Sequence, residues 1–363
     1  MIKYFIKAFT SSYQEKSIAS LDGLRAVSII IVILGHASFM YKGLLPNIAQ
    51  YFAIQQSLGV SIFFVISGFL INSFLIREKS KTGVVDLKLF YFKRLFRIFP
   101  PFYLYLALSF YILGYLSITK PTGLEVLSAA TYTWNYVLVT NNWFYGHSWS
   151  LAVEEQFYMI WPIVFALVSL KFSKKMPIIL IFIGPILRVA TYFLFPEWRG
   201  RISIMFHTRV DTLMFGCLLA YYHHDGLTEK FNTIIKKYNI HLAAFVLLFL
   251  FKPVLSFLFE GKYTMTVGYS IEGMSVVSLL IYILYLDKES IVFRFLNAKI
   301  MCHVGILSYG LYLWQQFFLA HSISFSFDLA RFLYLYTAVL IIYVIFEYPI
   351  GLLSKSLQKK VFE

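Results

Sequence analysis

The sequence predicts an all-α protein, a polytopic bundle of about ten transmembrane helices with both termini in the cytoplasm. Three observations predict this fold class: 59% of the 363 residues are hydrophobic, only 14% are charged, and the mean hydropathy is +0.71. A soluble globular domain carries about 25% charged residues. This chain has too few charges to cover a surface in water, so we expect lipid to surround most of it.

Ten apolar stretches are long enough to cross a bilayer, which takes about 20 mostly apolar residues in a helix. No internal repeat or linker divides the chain, so we expect residues 1–363 to form one membrane domain. Its ends are a short cytoplasmic N-terminal segment, 1–20, and a cytoplasmic C-terminal tail, 353–363. The fourth and sixth spans are the most polar, and short re-entrant pieces are an alternative there. The predicted spans are roughly 24–43, 57–76, 100–118, 149–170, 177–195, 206–222, 241–258, 267–286, 302–322 and 331–352.

The distribution of the net charge of +14 predicts the orientation of these spans. With the N-terminus inside, about 23 Lys and Arg residues fall on the cytoplasmic side and about 6 outside. Such an excess marks the cytoplasmic loops of membrane proteins. Basic patches also bind nucleic acid, but here they are short clusters between apolar runs. We therefore expect membrane lipids, and no nucleic acid, as partners.

The longest predicted outer loop, 119–148, is rich in Trp, Tyr and Asn. It ends in the run NNWFYGH at 141–147. Amide side chains and aromatic faces suit a sugar, but aromatic residues also form belts at membrane interfaces, which is the favoured interpretation. The two cysteines, Cys217 and Cys302, lie in apolar runs without metal-ligand spacing, so we expect neither a metal site nor a disulfide.

The first span carries two ionisable residues, and such residues inside a membrane mark candidate functional sites. Arg25 and His36 are eleven residues apart, so they share one helix face and lie about 16 Å apart along the axis. We expect Arg25 at the cytoplasmic rim and His36 near the middle of the membrane. Histidine is the natural general base at neutral pH. The structural alternative for His36 is a neutral imidazole bonded between helices.

A second polar stripe enters the fourth span from outside. His147, Glu154 and Tyr158 are spaced to share one helix face. The adjacent acids Glu154 and Glu155 are too costly for lipid contact, so at least one must face the protein interior. The structural alternative is an ion pair between Glu154 and Arg209.

Other polar residues are candidates for an acceptor site or for structural contacts. His207, Arg209 and Asp211 open the sixth span, where the two opposite charges could instead lock helices together. Glu347, which precedes Pro349 in the last span, is expected to be structural. The acceptor or structural candidates are His147, Trp149, Tyr158, Arg209, Asp211, Tyr309 and Gln315.

The inner loop before the third span carries Arg94 and Arg97 ahead of Pro100 and Pro101. Two guanidiniums on one helical turn suit bidentate contacts to phosphate. The alternative is ordinary positive charge on the cytoplasmic side, which explains this pair less well than it explains the nearby lysines.

At these residues the chain resembles the bacterial acyltransferase 3 family of integral-membrane acyltransferases. Five stretches occur in family order over nearly the whole chain. They are SLDGLRA at 20–26 leading to His36, GVSIFFVISGFL at 59–70, RLFRIFPP at 94–101, WSL at 149–151 with Glu154, and LSYGLYLW at 307–314.

The resemblance implies a ten-helix domain in a bacterial inner (cytoplasmic) membrane. It also implies an acyl-CoA donor, usually acetyl-CoA, which is a substrate rather than a bound cofactor. Arg25 and His36 match the family's essential Arg-x10-His pair, and Arg94 and Arg97 match its Arg-x-x-Arg element. Glu154 matches the acid of its Trp-Ser-Leu element. Many relatives carry a fused hydrolase-like domain; we expect none here, and a partner for acceptor delivery that is separate or absent.

We therefore expect an O-acyltransferase that moves an acyl group, most simply acetyl, from acyl-CoA to a hydroxyl of a cell-surface or exported glycan or a lipid-linked sugar. His36, Glu154 and Arg25 are the expected catalytic residues, and Arg94 and Arg97 the donor-binding ones. One alternative is a secondary transporter, which also places ionisable residues at the midplane but needs repeats or broken helices that the sequence does not reveal. A scaffold that flips lipid-linked glycans is another.

Overall fold

The computed structural model describes residues 20–42, 45–138, 142–323 and 328–362. All regular secondary structure in these ranges is helical, which confirms the all-α prediction. The predicted N-terminal segment, apart from its last residue, lies outside the described residues. The α-helices are α1 Leu21–His36, α2 Pro46–Thr82, α3 Leu87–Tyr115, α4 Gly123–Ala130, α5 Trp143–Gly146, α6 Ser148–Leu167, α7 Leu170–Ser173, α8 Lys175–Leu194, α9 Phe206–His224, α10 Thr228–Lys237, α11 Ile240–Val246, α12 Lys252–Leu258, α13 Tyr269–Leu284, α14 Ile291–Leu296, α15 Lys299–Ile306, α16 Ser308–Phe318, α17 Ala330–Ile342 and α18 Tyr348–Phe362.

Shorter helical segments extend several of these elements. A 3₁₀ segment, Ala37–Tyr41, continues α1, and two others lie at Trp134–Tyr136 and Pro196–Arg201. Three π-helical segments join α11 to α12, precede α13 and join α17 to α18. They are Leu247–Phe251, Thr264–Gly268 and Tyr343–Glu347.

Seven helical stretches among the described residues are long and apolar enough to cross a bilayer, so the chain is a multi-pass membrane protein. They coincide with seven of the ten predicted spans. The other three predicted spans fall on α6, α9 and the pair α15–α16, which is interrupted at Leu307. Most of α9 is buried against protein, so this helix does not need an apolar face toward lipid. The seven stretches are Leu21–Met40, Pro46–Thr82, Leu87–Tyr115, Leu170–Leu194, Ile240–Leu258, Thr264–Leu284 and Ala330–Phe362.

The central helix is α2, which packs most extensively against α9 and α1. Glycines let α2 and α9 meet backbone to backbone. A Cβ atom added at Gly68 would lie 2.0 Å from the carbonyl oxygen of Leu213, and one at Gly216 would lie 2.0 Å from that of Val65. Small residues at helix crossings are how membrane helices gain van der Waals contact in the absence of a hydrophobic driving force. This crossing fixes α2, which forms one wall of the site described below.

The third helix begins earlier than its apolar pattern predicts. The side chain of Asp86 accepts a hydrogen bond from the backbone N–H of Leu89 at 2.9 Å and caps the N-terminus of α3. Arg94 and Arg97 therefore lie on a helix, one turn apart, and the prediction of a loop before the span is wrong. Pro100 and Pro101 lie inside α3.

Two buried ion pairs connect α-helices that follow one another along the chain. Arg188 of α8 pairs with Asp211 of α9 at 2.9 Å, and Lys252 of α12 pairs with Glu272 of α13 at 3.1 Å. Asp211 does lock helices together, but through Arg188 rather than beside Arg209 as the sequence suggested. Removing one partner of either pair would leave an uncompensated buried charge, so each carboxylate is needed once its basic partner is buried.

Candidate active site

A cavity of about 400 Å³ lies between α1, α2, α3, α6 and α16. It brings together residues that are almost 300 positions apart in sequence. Six predicted site residues line it: Arg25, Arg94, Arg97, Glu154, Tyr158 and Tyr309. Its other polar lining residues are Ser67, Lys93, Ser150, Glu155, Ser308 and Tyr312. In the predicted orientation, the arginines lie near the cytoplasmic ends of α1 and α3.

The three arginines of this cavity are close enough for Arg25 and Arg94 to repel Arg97 electrostatically. Within the described part of the chain, none of them forms an ion pair with a carboxylate. Arg94 stacks instead on the ring of Tyr158, with its guanidinium carbon 3.6 Å from the ring centroid. The Nε atom of Arg25 is buried without a partner among the described groups. The cavity therefore presents positive charge that an anion would compensate.

Glu154 occupies the same cavity and is hydrogen-bonded to α2. The hydroxyl of Ser67 donates to its Oε1 at 2.6 Å, and the hydroxyl of Tyr158 donates to Ser67 Oγ at 3.0 Å. The predicted proximity of Glu154 and Tyr158 is confirmed, with Ser67 as the link between them. Glu155 also lines the cavity, so both acids face the protein rather than lipid.

His36 lies outside this cavity lining. It is the last residue of α1 and lies four residues before the end of the stretch Leu21–Met40, and its depth in the membrane stays a prediction. Its Nδ1 lies 3.2 Å from Oε1 of Gln315, and its ring lies edge-on to Trp143 with centroids 5.7 Å apart. Because a carbonyl oxygen only accepts, Nδ1 of the neutral imidazole carries the proton. The lone pair is then on Nε2, which is the state that a general base needs.

His147 is held in the same way by Gln316, the residue of α16 that follows Gln315. The Oε1 atom of Gln316 accepts from His147 Nδ1 at 2.6 Å and from its backbone N–H at 3.0 Å. His147 is the N-cap of α6 rather than part of the helix. Of the predicted stripe, Glu154 and Tyr158 line the cavity, whereas His147 does not.

A polar contact separates the cavity from the two imidazoles. Tyr312 and Ser150 both line the cavity, and their hydroxyls are hydrogen-bonded to each other. The Tyr312 hydroxyl also contacts the backbone oxygen of His147 at 3.1 Å, and the two rings meet with centroids 5.5 Å apart. This pair of hydroxyls therefore joins the cavity lining to His147.

Three predicted residues lie away from the cavity. Arg209 is fully buried; its Nη2 donates to Ser61 Oγ at 3.0 Å and its guanidinium carbon lies 3.6 Å from the centroid of Tyr269. Trp149 lies 6.0 Å from the same guanidinium. Among the described residues Arg209 does not pair with Glu154, so that structural alternative is wrong. Asp211 is occupied by Arg188.

Sequence reasoning missed Ser67, Ser150, Tyr312 and Gln316. All are neutral polar residues, which occur in membrane helices without any functional role. Their only signal was position, because Ser67, Ser150 and Tyr312 lie inside the family-like stretches. Gln316 follows Gln315 in an otherwise apolar run, and two adjacent amides there would have justified closer attention.

Comparison with known proteins gives a consistent picture. The family model Acyl_transf_3, described as an acyltransferase domain, matches residues 18–352. The O-acetyltransferase OatA of Staphylococcus aureus strain NCTC 8325 is 29% identical over 330 residues, which cover 85% of this chain and 52% of the relative. OatA of strain COL matches to the same extent. Another strain COL protein that carries an O-acetyltransferase name is 26% identical over 332 residues, with coverages of 85% and 52%.

No solved structure matches the chain. The chain spans about half the length of the curated relatives that it matches. The family match, in contrast, extends from residue 18 to Leu352, in the first third of α18, and it includes every residue that lines the cavity. The chain therefore belongs to the acyltransferase 3 family (Acyl_transf_3).

Proposed function

We propose that the protein is an O-acetyltransferase of a bacterial inner membrane, which transfers an acetyl group from acetyl-CoA to a hydroxyl of a cell-surface or exported glycan. The observation that carries the proposal is the cluster of Arg25, Arg94 and Arg97 in one cavity, without carboxylate partners among the described residues. Arg25 and Arg94 are half-buried and Arg97 is exposed, and like charges held this close together repel one another. A polyanion relieves this repulsion, and the phosphates of CoA are such a polyanion.

The remainder of the cavity suits the rest of the donor. Arginine binds phosphate through two parallel N–H groups, and Lys93 adds a fourth positive charge to the same lining. Beyond these residues the α2 wall is apolar, with Val60, Phe63 and Phe64. A pantetheine arm bound along this wall points from the arginines toward Tyr312 and the imidazoles behind it.

The chemistry requires a base beside the acceptor hydroxyl. In the proposed reaction, Nε2 of His36 takes the hydroxyl proton while the acceptor oxygen attacks the thioester carbonyl carbon. The carbon–sulfur bond then breaks, the acetyl group stays on the acceptor oxygen, and the CoA thiolate takes up a proton. General-base catalysis of this type contributes about 10²–10⁴-fold in rate.

Arg25 and Glu154 take positioning roles in this scheme. Both line the donor cavity, whereas His36 lies at the far end of the helix that carries Arg25, about 16 Å away along its axis. Glu154 lies within electrostatic reach of Arg94 and Arg25. We therefore propose that Glu154 positions the arginines around the donor. His36 alone then accepts the proton of the acceptor hydroxyl.

The proposal is tested by thiol release from acetyl-CoA. Purified protein in lipid nanodiscs is given acetyl-CoA with and without a glycan extract, and free CoA is measured with a thiol reagent. We expect release that depends on the glycan and an equal amount of new O-acetyl ester. Bound CoA with no release for any glycan would contradict the acceptor assignment. Failure to bind CoA, together with solute uptake into vesicles, would support a transporter instead.

A further inference from the structure

We propose that Trp143 is a stacking platform for a sugar ring of the acceptor, which presents one hydroxyl to His36 beside the amide of Gln315. This inference rests on the proposed function, since it names the residues that bind the acceptor. Trp143 begins α5 after the long outer loop, and 38% of its surface is exposed. Its ring meets that of His36 at 5.7 Å between centroids. An exposed aromatic face therefore lies directly beside the proposed base.

The orientation of this indole is fixed by the protein. Its Nε1–H donates to the backbone oxygen of Gln316 at 2.7 Å. Tryptophan in an interfacial belt typically keeps its polar edge toward water and headgroups. In Trp143 the polar edge is instead directed inward, to the backbone oxygen of Gln316, while 38% of the residue surface stays exposed.

Several buried polar atoms near the imidazoles make no hydrogen bond to the described residues. Nε2 of Gln315, Nε2 of His147 and Oγ of Ser148 make no hydrogen bond within the described part of the chain, although all three residues are at most 1% exposed. The Gln315 amide is the group that holds His36 through its oxygen, so its NH₂ lies next to the imidazole. His36 and His147 are also close enough to interact electrostatically.

These atoms match the hydrogen-bonding pattern of a polyol. The Gln315 NH₂ donates, His147 Nε2 accepts because its Nδ1 already donates to Gln316, and the Ser148 hydroxyl does both. Buried polar groups are normally satisfied. The side chains in hydrogen-bond or ring contact with the two imidazoles are all uncharged, unlike those of the inner cavity. The outer site therefore suits a neutral sugar, and the inner one a polyanion.

The test separates binding of the acceptor from binding of the donor. Acceptor KM and acetyl-CoA KM are measured in nanodiscs for the wild type, Trp143→Ala, Trp143→Phe and Trp198→Ala. Trp198 is a matched control because it is also a tryptophan in a short helical segment, Pro196–Arg201, but its ring contacts Tyr136 rather than His36. We expect Trp143→Ala to raise the acceptor KM about tenfold, with the donor KM unchanged. Trp143→Phe keeps an aromatic face but loses the Nε1–H bond to Gln316, so it should raise the acceptor KM less than Trp143→Ala does. Trp198→Ala should stay within about twofold of the wild type.

A second measurement does not depend on turnover. Binding of maltotetraose and of chitotetraose to the same proteins is measured by isothermal titration calorimetry, whose signal does not come from the replaced indole. Weaker binding to Trp143→Ala than to Trp198→Ala, for at least one of these neutral sugars, supports the platform. If glycan-dependent thiol release is normal in the wild type and Trp143→Ala leaves acceptor KM and sugar binding unchanged, the platform is refuted while the proposed function stands. Absence of thiol release with Trp143-dependent sugar binding would refute the reaction and keep the sugar site.

Discussion

The Nδ1 atom of His36 lies 3.2 Å from Oε1 of Gln315, and this contact places the imidazole away from the cavity that Arg25 lines. Arg25 and His36 belong to one helix and are eleven residues apart, but they serve two different polar regions. The cavity beside Arg25 has four basic and two acidic side chains in its lining, whereas the side chains in contact with His36 are uncharged. Helix α1 therefore connects a proposed donor half with a proposed acceptor half.

The arginine pair provides the first prediction. Replacing Arg94 and Arg97 together by Ala should raise the acetyl-CoA KM at least tenfold, since each charge-assisted contact contributes about 1.5–3 kcal/mol. Folding, followed by size-exclusion chromatography, should be unaffected because the present arrangement of these side chains is repulsive. Arg77→Ala is the matched control, an exposed basic residue at the inner end of α2. An unchanged donor KM in the double variant would show that the two arginines are only topology signals.

The second prediction concerns the hydroxyl of Ser67. Ser67→Ala removes the 2.6 Å hydrogen bond to Glu154 and leaves a carboxylate without that donor. A hydrogen bond to a charged group contributes about 1.5–3 kcal/mol, so we expect at least a tenfold loss in kcat/KM for acetyl-CoA. Ser73→Ala on the same helix removes a buried hydroxyl that makes no hydrogen bond within the described residues, and it should be nearly neutral. Equal activities of the two variants would remove Glu154 from the donor site.

The third prediction separates structural from functional charges. Asp211→Ala should destabilise the protein by about 3–5 kcal/mol, because it leaves Arg188 buried without its carboxylate. Asp225→Ala breaks an ion pair with Lys174 whose side chains are 36% exposed, so it should change stability by less than about 1 kcal/mol. Thermal unfolding in detergent measures both. A selective loss of donor affinity in folded Asp211→Ala would place this acid in the site instead.

The fourth prediction concerns the membrane topology. Reporter fusions after Lys81, near the end of α2, and after Lys237, at the end of α10, should report the cytoplasm. A fusion after Asn141, which lies outside the described residues, should report the exterior. The reason is the excess of Lys and Arg on the proposed inner side. An interior signal at Asn141 would invert the protein and place the sugar platform on the cytoplasmic face.

Patterns along single helices predicted much of this arrangement. The convergence of Arg25, Arg94, Arg97 and Glu154 follows from the cost of ionisable groups in lipid, which forces them toward the bundle interior. Their partners were not predictable, because a helix period says which face a residue occupies but not which helix lies opposite. Ser67 therefore had no signal beyond its position.

Helix ends were the other source of error. The length of an apolar run does not show where capping starts or stops a helix, and α3 starts at the cap of Asp86, two turns before Arg94. Similarly, α1 ends at His36 and continues as a 3₁₀ segment, whereas the apolar pattern predicted one helix through residue 43. The ion pairs of Arg188 and Lys252 join residues of different helices, and no pattern within one helix predicts them.

The central claim is that His36 is the base for transfer to the acceptor, and the most direct measurement is the rate of acetyl transfer to glycan by purified His36→Ala, with His147→Ala beside it. Loss of a general base typically reduces the rate about 10²–10⁴-fold, so we predict a fall of that size for His36→Ala in a folded, membrane-inserted protein. For His147→Ala we predict a smaller loss, expressed mainly in the acceptor KM. Retention of more than about a tenth of the activity by His36→Ala, together with its abolition in His147→Ala, would contradict the account and assign the chemistry to His147.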